Sequence, residues 1–215
     1  MSPSSHYFSP SAPLQQTSRH VEATLNGLTL HFATGDGVFS KSAFDEGSRL
    51  LLETALKRSS WPLNARVGDL GCGWGALGCF IAALAPQVWV FGCDINERAV
   101  ALAHQNARTH QLTNASFWCG DGLDAARSDF FDVIFCNPPV RAGNETIQQM
   151  FEGALRCLKP GGELWVVLRT AQGAKSWQKR LQAQFGRGET IEIKSGYRIL
   201  KCRKQTADGR RQEAG

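Results

Sequence analysis

The stretch Arg66-Val-Gly-Asp-Leu-Gly-Cys-Gly-Trp-Gly-Ala-Leu-Gly78 constrains the fold more than any other part of the chain. It reads as a short strand ending at Leu70, a glycine-rich turn, and a helix beginning near Ala76. Glycines at 71, 73 and 75 leave no Cβ between the backbone and a ligand, and they accept positive φ where the chain reverses. The first N–H groups of the following helix face back into the same turn. A second apolar run, Val88-Trp-Val-Phe-Gly-Cys-Asp94, ends in an acid. In a parallel α/β sheet, an acid there reaches the two hydroxyls of a ribose. The two runs together describe a pocket for a nucleotide-like cofactor.

The glycine spacing alone does not name that cofactor. Gly73-x-Gly75-x-x-Gly78 satisfies the dinucleotide fingerprint, which is weak by itself. Asp69 points elsewhere: a carboxylate beside a pyrophosphate repels it, whereas beside the cationic S-adenosylmethionine it attracts. A second signal agrees. Phe131-Asp-Val-Ile-Phe-Cys136 reads as a buried strand and runs directly into Asn137-Pro138-Pro139. An amide followed by two prolines at a strand end suits a neutral nitrogen acceptor. The amide oxygen and a proline carbonyl can each take an N–H, and proline stiffens the strand end.

These residues resemble the class I S-adenosylmethionine-dependent methyltransferases, and within them the small methyltransferase-domain family that includes bacterial ribosomal RNA guanine-N2 methyltransferases. The resemblance rests on Gly37-Val-Phe-Ser-Lys41, Asp45-x-Gly-Ser-Arg-Leu-Leu51, Asp69-Leu-Gly-Cys-Gly-Trp-Gly75, Asp94-Ile-Asn-Glu-Arg-Ala-Val100 and Asn137-Pro-Pro-Val-Arg-Ala-Gly143. Gly162-Glu-Leu-Trp-Val-Val167 and Gly196-Tyr-Arg-Ile199 extend it. It implies a Rossmann-like seven-stranded sheet, mostly parallel, with an antiparallel last strand. It further implies that Phe39, Ser40, Asp69, Gly71, Cys72, Gly73, Gly75, Asp94, Ile95, Asp121, Gly122 and Asn137 surround the cofactor. Asn137, Pro138 and Pro139 are the implied catalytic group. Lys41, Val140, Arg141 and Tyr197 are implied at the substrate. Plain alternatives stand beside several of these: Phe39 as a plug between hairpin and core, Asp121 as a turn aspartate, Arg141 as an ordinary surface arginine.

Two features depart from the wider pattern. The residue after the prolines is often aromatic, where it stacks on a flipped-out base; here it is Val140, leaving Phe39 or Tyr197 to supply a stack. Gly68 replaces a bulky residue before the motif's acid, which weakens the strand by roughly 1 kcal/mol.

The remaining chain fits one domain over residues 19–204, with a disordered Ser-, Pro- and Gln-rich segment over 1–18 and a basic tail over 205–215. Asn26-Gly27 inside an alternating run predicts an N-terminal β-hairpin, and Ser195-Gly196 predicts a second one near the end. Asp45 caps the helix after the first hairpin. Helices are predicted over 96–111 and from Asn144 to Leu158, with strands over 115–119, 163–168, 190–194 and 197–202. Seven cysteines, never spaced C-x-x-C, predict buried reduced thiols in a cytoplasmic protein without a metal site. No signal peptide is apparent, and no apolar run reaches the ~20 residues needed to span a bilayer.

The net charge of +5 is unevenly spread. Residues 1–168 hold 12 Lys and Arg against 15 Asp and Glu, whereas residues 169–215 hold 12 against 4. A basic segment on a slightly acidic body suits a polyanion partner, most simply RNA. The resemblance implies, as the expected function, methylation of the exocyclic N2 amine of a guanine in ribosomal RNA. The alternatives are a protein glutamine acceptor, a small-molecule amine, a non-catalytic RNA-binding paralogue and an NAD-dependent oxidoreductase.

Overall fold

The computed structural model describes residues 19–38, 40, 43–139 and 143–206. The expected segment 1–18 and residues 207–215 of the expected 205–215 tail lie outside it. The chain opens with a hairpin of β1 (Arg19–Leu25) and β2 (Leu28–Thr34), reversed at Asn26-Gly27 with both residues at positive φ. Helix α1 (Glu46–Arg58) follows, capped by Asp45, whose carboxylate accepts from Ser48 N at 2.8 Å.

From there strands and helices alternate: β3 (Arg66–Leu70), α2 (Ala76–Leu84), β4 (Trp89–Asp94), α3 (Glu97–Thr109), β5 (Ala115–Cys119), β6 (Phe131–Cys136), α4 (Gly143–Cys157) and β7 (Leu158–Arg169). A single 3-10 turn leads into α5 (Ala174–Phe185), then β8 (Gly186–Lys194) and β9 (Tyr197–Lys204). The seven strands after the hairpin form one sheet in the order β5-β4-β3-β6-β7-β9-β8. Only β9 runs against the others, inserted between β7 and β8. This is the Rossmann-like methyltransferase architecture expected from the sequence, and among the described residues no helix is long and apolar enough to cross a membrane.

Alternation along the strands builds the two cores. Val67, Val133, Phe135, Trp165, Val167 and Ile199 face the side carrying α1, α2, α3 and the hairpin. Ile134, Leu164, Val166 and Leu200 face the side carrying α4 and α5, where Phe151 and Trp177 meet edge to face. Gly68 belongs to this second side: a Cβ there would lie 3.1 Å from Ile134 Cγ1 and 3.3 Å from the Phe131 ring, so its absence lets those groups pack down. The departure seen in the sequence thus has a packing reason.

Several boundaries differ from the sequence expectation, and three of them have a visible cause. Strand β7 starts at Leu158, five residues early, because Leu158 pairs with Phe131 before the register shifts ahead of Val133 and Glu163. Strand β8 starts at Gly186, since Gly186 to Glu189 ladder onto Lys204 to Lys201. It is an edge strand with little burial, and its first half, Gly186-Arg-Gly-Glu189, carries no apolar alternation to read. Helix α3 ends at Thr109 rather than Gln111, whose φ of 54° breaks the helical run.

One buried polar side chain ties these layers together. Asn106 of α3 is 1% exposed; its Oδ1 accepts from Ala33 N (2.7 Å), and its Nδ2 donates to Ala33 O (3.0 Å) and Trp74 O (2.8 Å). The hairpin is thereby joined to the glycine turn, beside a Phe32–Trp74 ring contact at 5.0 Å. Replacing Asn106 by Ala strands three buried backbone groups, so urea unfolding is expected to show a loss of roughly 2–4 kcal/mol. A loss below about 0.5 kcal/mol would mean the groups find other partners.

Candidate active site

A cavity of about 750 Å³ lies over the carboxyl ends of the parallel strands, where the order reverses between β3 and β6. Asp69, Gly71, Cys72, Gly73, Asp94, Ile95, Asp121 and Gly122 line one part of it. Asn137, Pro138, Pro139, Ser40 and Tyr197 line another part, joined by Asp45, Ser48 and Arg169. Gly75 is not in the lining. Its φ is 83° and a Cβ there would sit 2.7 Å from Ala103 Cβ, so glycine at this position lets α2 and α3 approach. Phe39, Lys41, Val140 and Arg141 lie outside the described residues.

The glycine turn is already hydrogen-bonded from within. Gly71 N and Cys72 N both donate to Cys93 O at 2.9 Å, and Gly73 N donates to Asp94 Oδ2 at 2.9 Å. Gly75 N donates to Cys72 O (2.9 Å), and Gly78 N, in the first turn of α2, to Asp69 Oδ2 (3.0 Å). A pyrophosphate cradle needs such groups free and turned outward. Here one N–H of the helix terminus, that of Gly78, serves Asp69 instead.

Asp69 is 5% exposed, and burial pushes its carboxyl up from 3.8 to about 7. The Gly78 N–H works against that rise, and the Asp94 charge adds to it. The same burial, with Asp69 and Asp94 close by, pushes the Cys72 thiol well up, so it stays protonated and is no nucleophile. Cys119 is exposed and the other six cysteines are buried, all of them unpaired. The local field is thus set by two acids, one of them deeply desolvated.

Asp94 leaves the end of β4 with both carboxylate oxygens in use once, accepting from Gly73 N and from Asn96 N (2.9 Å). Each oxygen keeps a further lone pair for a hydroxyl. Next to it Ile95 is 70% exposed at the cavity, an apolar surface for a flat ring. Ser40, at a φ of 54°, donates its hydroxyl to Ala43 O at 2.6 Å, and Asn96 Nδ2 holds Gly37 O at 2.8 Å. The loop after β2 is therefore fastened to the turn after β4.

Asn137 follows β6, one strand from the glycine turn, because Leu70 of β3 registers with Cys136. Its Nδ2 donates to Asp45 Oδ2 and to Ser48 Oγ, each at 2.8 Å. Tyr197 is 5% exposed and the Arg169 guanidinium lies over its ring at 4.7 Å. The structure thus places Arg169, itself exposed at the cavity, on the ring face that the sequence reading left for a stacked base. The sequence marks Asp45 only as a helix cap and assigns no site role to Ser48 or Arg169. Their contacts join residues far apart in sequence, and no local pattern announces them.

The basic segment divides in two. Lys201 pairs with Glu163 (2.8 Å), Lys204 with Asp129 (2.7 Å), and Arg198 is buried against Gln178 and Thr190. Arg169 and Lys194 register on either side of Tyr197, so both stand exposed at the cavity end of the sheet. Lys175, at the start of α5 just beyond Arg169, is exposed as well.

The profile of the methyltransferase small domain matches residues 29–201. The chain is 33% identical over 204 residues to the uncharacterized protein YbxB of Bacillus subtilis (strain 168), covering 94% of this chain and 99% of that one. It is 31% identical over 184 residues to the ribosomal RNA small subunit methyltransferase C of Salmonella newport (strain SL254), covering 84% of this chain and 51% of the relative. Among solved structures, the T. thermophilus 16S rRNA N2 G1207 methyltransferase RsmC, in complex with AdoMet and guanosine, is similar with a TM-score of 0.79. Its sequence identity is 27%, over 90% of this chain and 52% of that one. The chain thus spans nearly all of YbxB but about half the length of the ribosomal RNA methyltransferases it matches. A glycine turn flanked by two acids, facing Asn-Pro-Pro across one cavity, together with these matches, makes the chain a member of the methyltransferase small-domain family of S-adenosylmethionine-dependent methyltransferases.

Proposed function

We propose that residues 19–204 form a methyltransferase domain that acts in the cytoplasm on the exocyclic N2 amine of a guanine in ribosomal RNA. The observation that carries this reading is the placement of Asn137-Pro138-Pro139 one strand from the glycine turn, on one cavity with Asp69 and Asp94. The similar ribosomal RNA enzymes and the exposed Arg169, Lys175 and Lys194 support the substrate class.

The residues present fit the cofactor. Asp94 offers lone pairs to ribose hydroxyls, Ile95 an apolar face to adenine, and Asp121 an acceptor for the adenine amino group. Asp69 supplies negative charge for the methionine end, with Gly71 and Gly73 leaving room for close approach. When bound, S-adenosylmethionine supplies a methyl group on a cationic sulfur. The protein's own part is to hold the acceptor. An exocyclic amine has its lone pair spread into the ring; accepting its two N–H hydrogens on Asn137 Oδ1 and Pro138 O turns that lone pair toward the cofactor side. No strong general base is required for this. Arg169, Lys175 and Lys194 then take RNA phosphates beside the cavity.

Three outcomes are expected. Ionised Asp69 favours a cationic ligand, so calorimetry should show S-adenosylmethionine affinity tightening severalfold from about pH 6 to about pH 7.5, a dependence flattened in Asp69→Asn. In the ligand-free protein the sign is opposite: the raised folded-state pKa favours the fold most below the unfolded-state value, and that contribution is lost as pH rises through about 7. Asn137→Ala should leave cofactor affinity within about threefold while turnover falls roughly 100-fold or more. Asp94→Ala should weaken cofactor binding first, and equal effects of the two variants on binding would undo the division of roles. Finally, labelled methyl groups should pass from S-adenosylmethionine to RNA taken from a strain lacking this gene, and Arg169→Ala should raise the KM for RNA. Label in protein alone would move the acceptor to a glutamine amide.

A further inference from the structure

We infer that Asp45, with Ser48, is a positioning residue that fixes which atom of Asn137 meets the acceptor. The inference rests on the reading of Asn137 as the group that holds the acceptor nitrogen. A primary amide carries two N–H donors and one acceptor oxygen, and the two ends are nearly the same size. Turned one way, Asn137 offers an acceptor to an amine; turned the other, it offers donors that oppose the amine's own N–H groups.

The structure fixes the choice. Asn137 Nδ2 donates to Asp45 Oδ2 and Ser48 Oγ, both at 2.8 Å, so both of its hydrogens are engaged on the α1 side. Asp45 Oδ2 already accepts from Ser48 N, so the Asn137 nitrogen, and not its oxygen, faces that acceptor. Oδ1 is the remaining polar atom of the side chain, and Asn137 lines the cavity. The site therefore accepts N–H donors and is mismatched to a carbonyl oxygen at that point.

Capping alone does not explain an aspartate here. Ser, Thr, Asn and Asp all cap helices well, and Asp45 does so through Ser48 N. The same Oδ2 takes both the cap hydrogen bond and the Asn137 hydrogen bond. Gly47 keeps the surroundings tight: a Cβ there would lie 3.0 Å from Asp45 Oδ2 and 2.9 Å from Tyr197 Cε1. Asp45, Tyr197 and the Arg169 guanidinium above it thus form one packed wall around the start of α1. The loop after β2 enters α1 through this residue, so the same contact ties that loop to the end of β6.

The test separates capping from positioning. Asp45→Ser keeps a capping hydroxyl but is too short to reach Asn137, whereas Asp45→Asn can serve both roles with its oxygen. Side-chain amide spectra of the full chain, with the Asn137 signals identified by their loss in Asn137→Ala, should show two distinct, slowly exchanging Asn137 protons in the wild type. They should persist in Asp45→Asn and exchange fast in Asp45→Ser. With RNA as acceptor, Asp45→Ser should lower kcat about tenfold or more, leave KM and cofactor affinity near wild type, and cost nothing further on an Asn137→Ala background. Protected Asn137 protons in Asp45→Ser would overturn the inference. So would a loss that adds fully to Asn137→Ala, or one that tracks a fall in Tm and cofactor affinity. If the wild type methylates no nucleic acid or protein, the functional reading above fails, and the spectra still decide whether Asp45 holds the amide.

Discussion

The parallel pairing of β3 with β6 is the constraint on which the site depends. Asp69 registers with Phe135 and Leu70 with Cys136, so the glycine turn and Asn137 emerge side by side from the centre of the sheet. Neither strand tolerates a slip. Gly68 and Ile134 face one core while Val67 and Phe135 face the other, and a one-residue shift would exchange every apolar contact. The backbone ladder and the core alternation thus fix the spacing between the glycine turn and Asn137 across the cavity. The rest of the chain braces that edge: Asn106 holds the hairpin and the glycine turn together, and Asp45 fastens α1 to the end of β6.

The electrostatics follow from the same geometry. The turn spends its N–H groups on Cys93, Asp94 and Asp69, which leaves a surface bearing carboxylate rather than amide polarity. That surface is matched to a cationic ligand and opposed to a pyrophosphate. Burying Asp69 disfavours its charged form, and under the proposed function that cost is offset by a cation held beside it. Such a trade is characteristic of functional sites, where a locally unfavourable group is kept because the ligand completes it. In the basic segment Lys201, Lys204 and Arg198 are engaged within the fold, whereas Arg169, Lys175 and Lys194 stand exposed at the cavity end of β7, α5 and β8, and Lys179, Arg180, Arg187 and Arg203 are exposed elsewhere.

Much of this was legible in the sequence because its signals are local. A strand, a glycine turn and a helix announce themselves within the stretch around Asp69, and Asn137-Pro-Pro is contiguous. What was not legible depends on strand order. That Tyr197 sits beside Arg169 follows from β9 inserting between β7 and β8, which no hairpin signal reveals. That Asp45 meets Asn137 requires the whole sheet to be assembled. Asn106 reads as a polar residue in an amphipathic helix, and only the packed hairpin turns it into a three-way tie. The early start of β7 is illegible because Lys159-Pro-Gly-Gly162 bulges between the Leu158 and Glu163 pairings, and that of β8 because Gly186-Arg-Gly-Glu189 pairs with few apolar side chains to mark it.

The central claim is that one sheet edge holds the methyl donor and an exocyclic amine face to face. A crystal structure with S-adenosylhomocysteine and guanosine tests it most directly. The account predicts the ribose on Asp94, the sulfur near Asp69 and the glycine turn, and guanine N2 within hydrogen-bonding distance of Asn137 Oδ1 and Pro138 O. Guanosine bound with N2 turned away from Asn137, or a cofactor whose sulfur lies remote from Asn137, would contradict it.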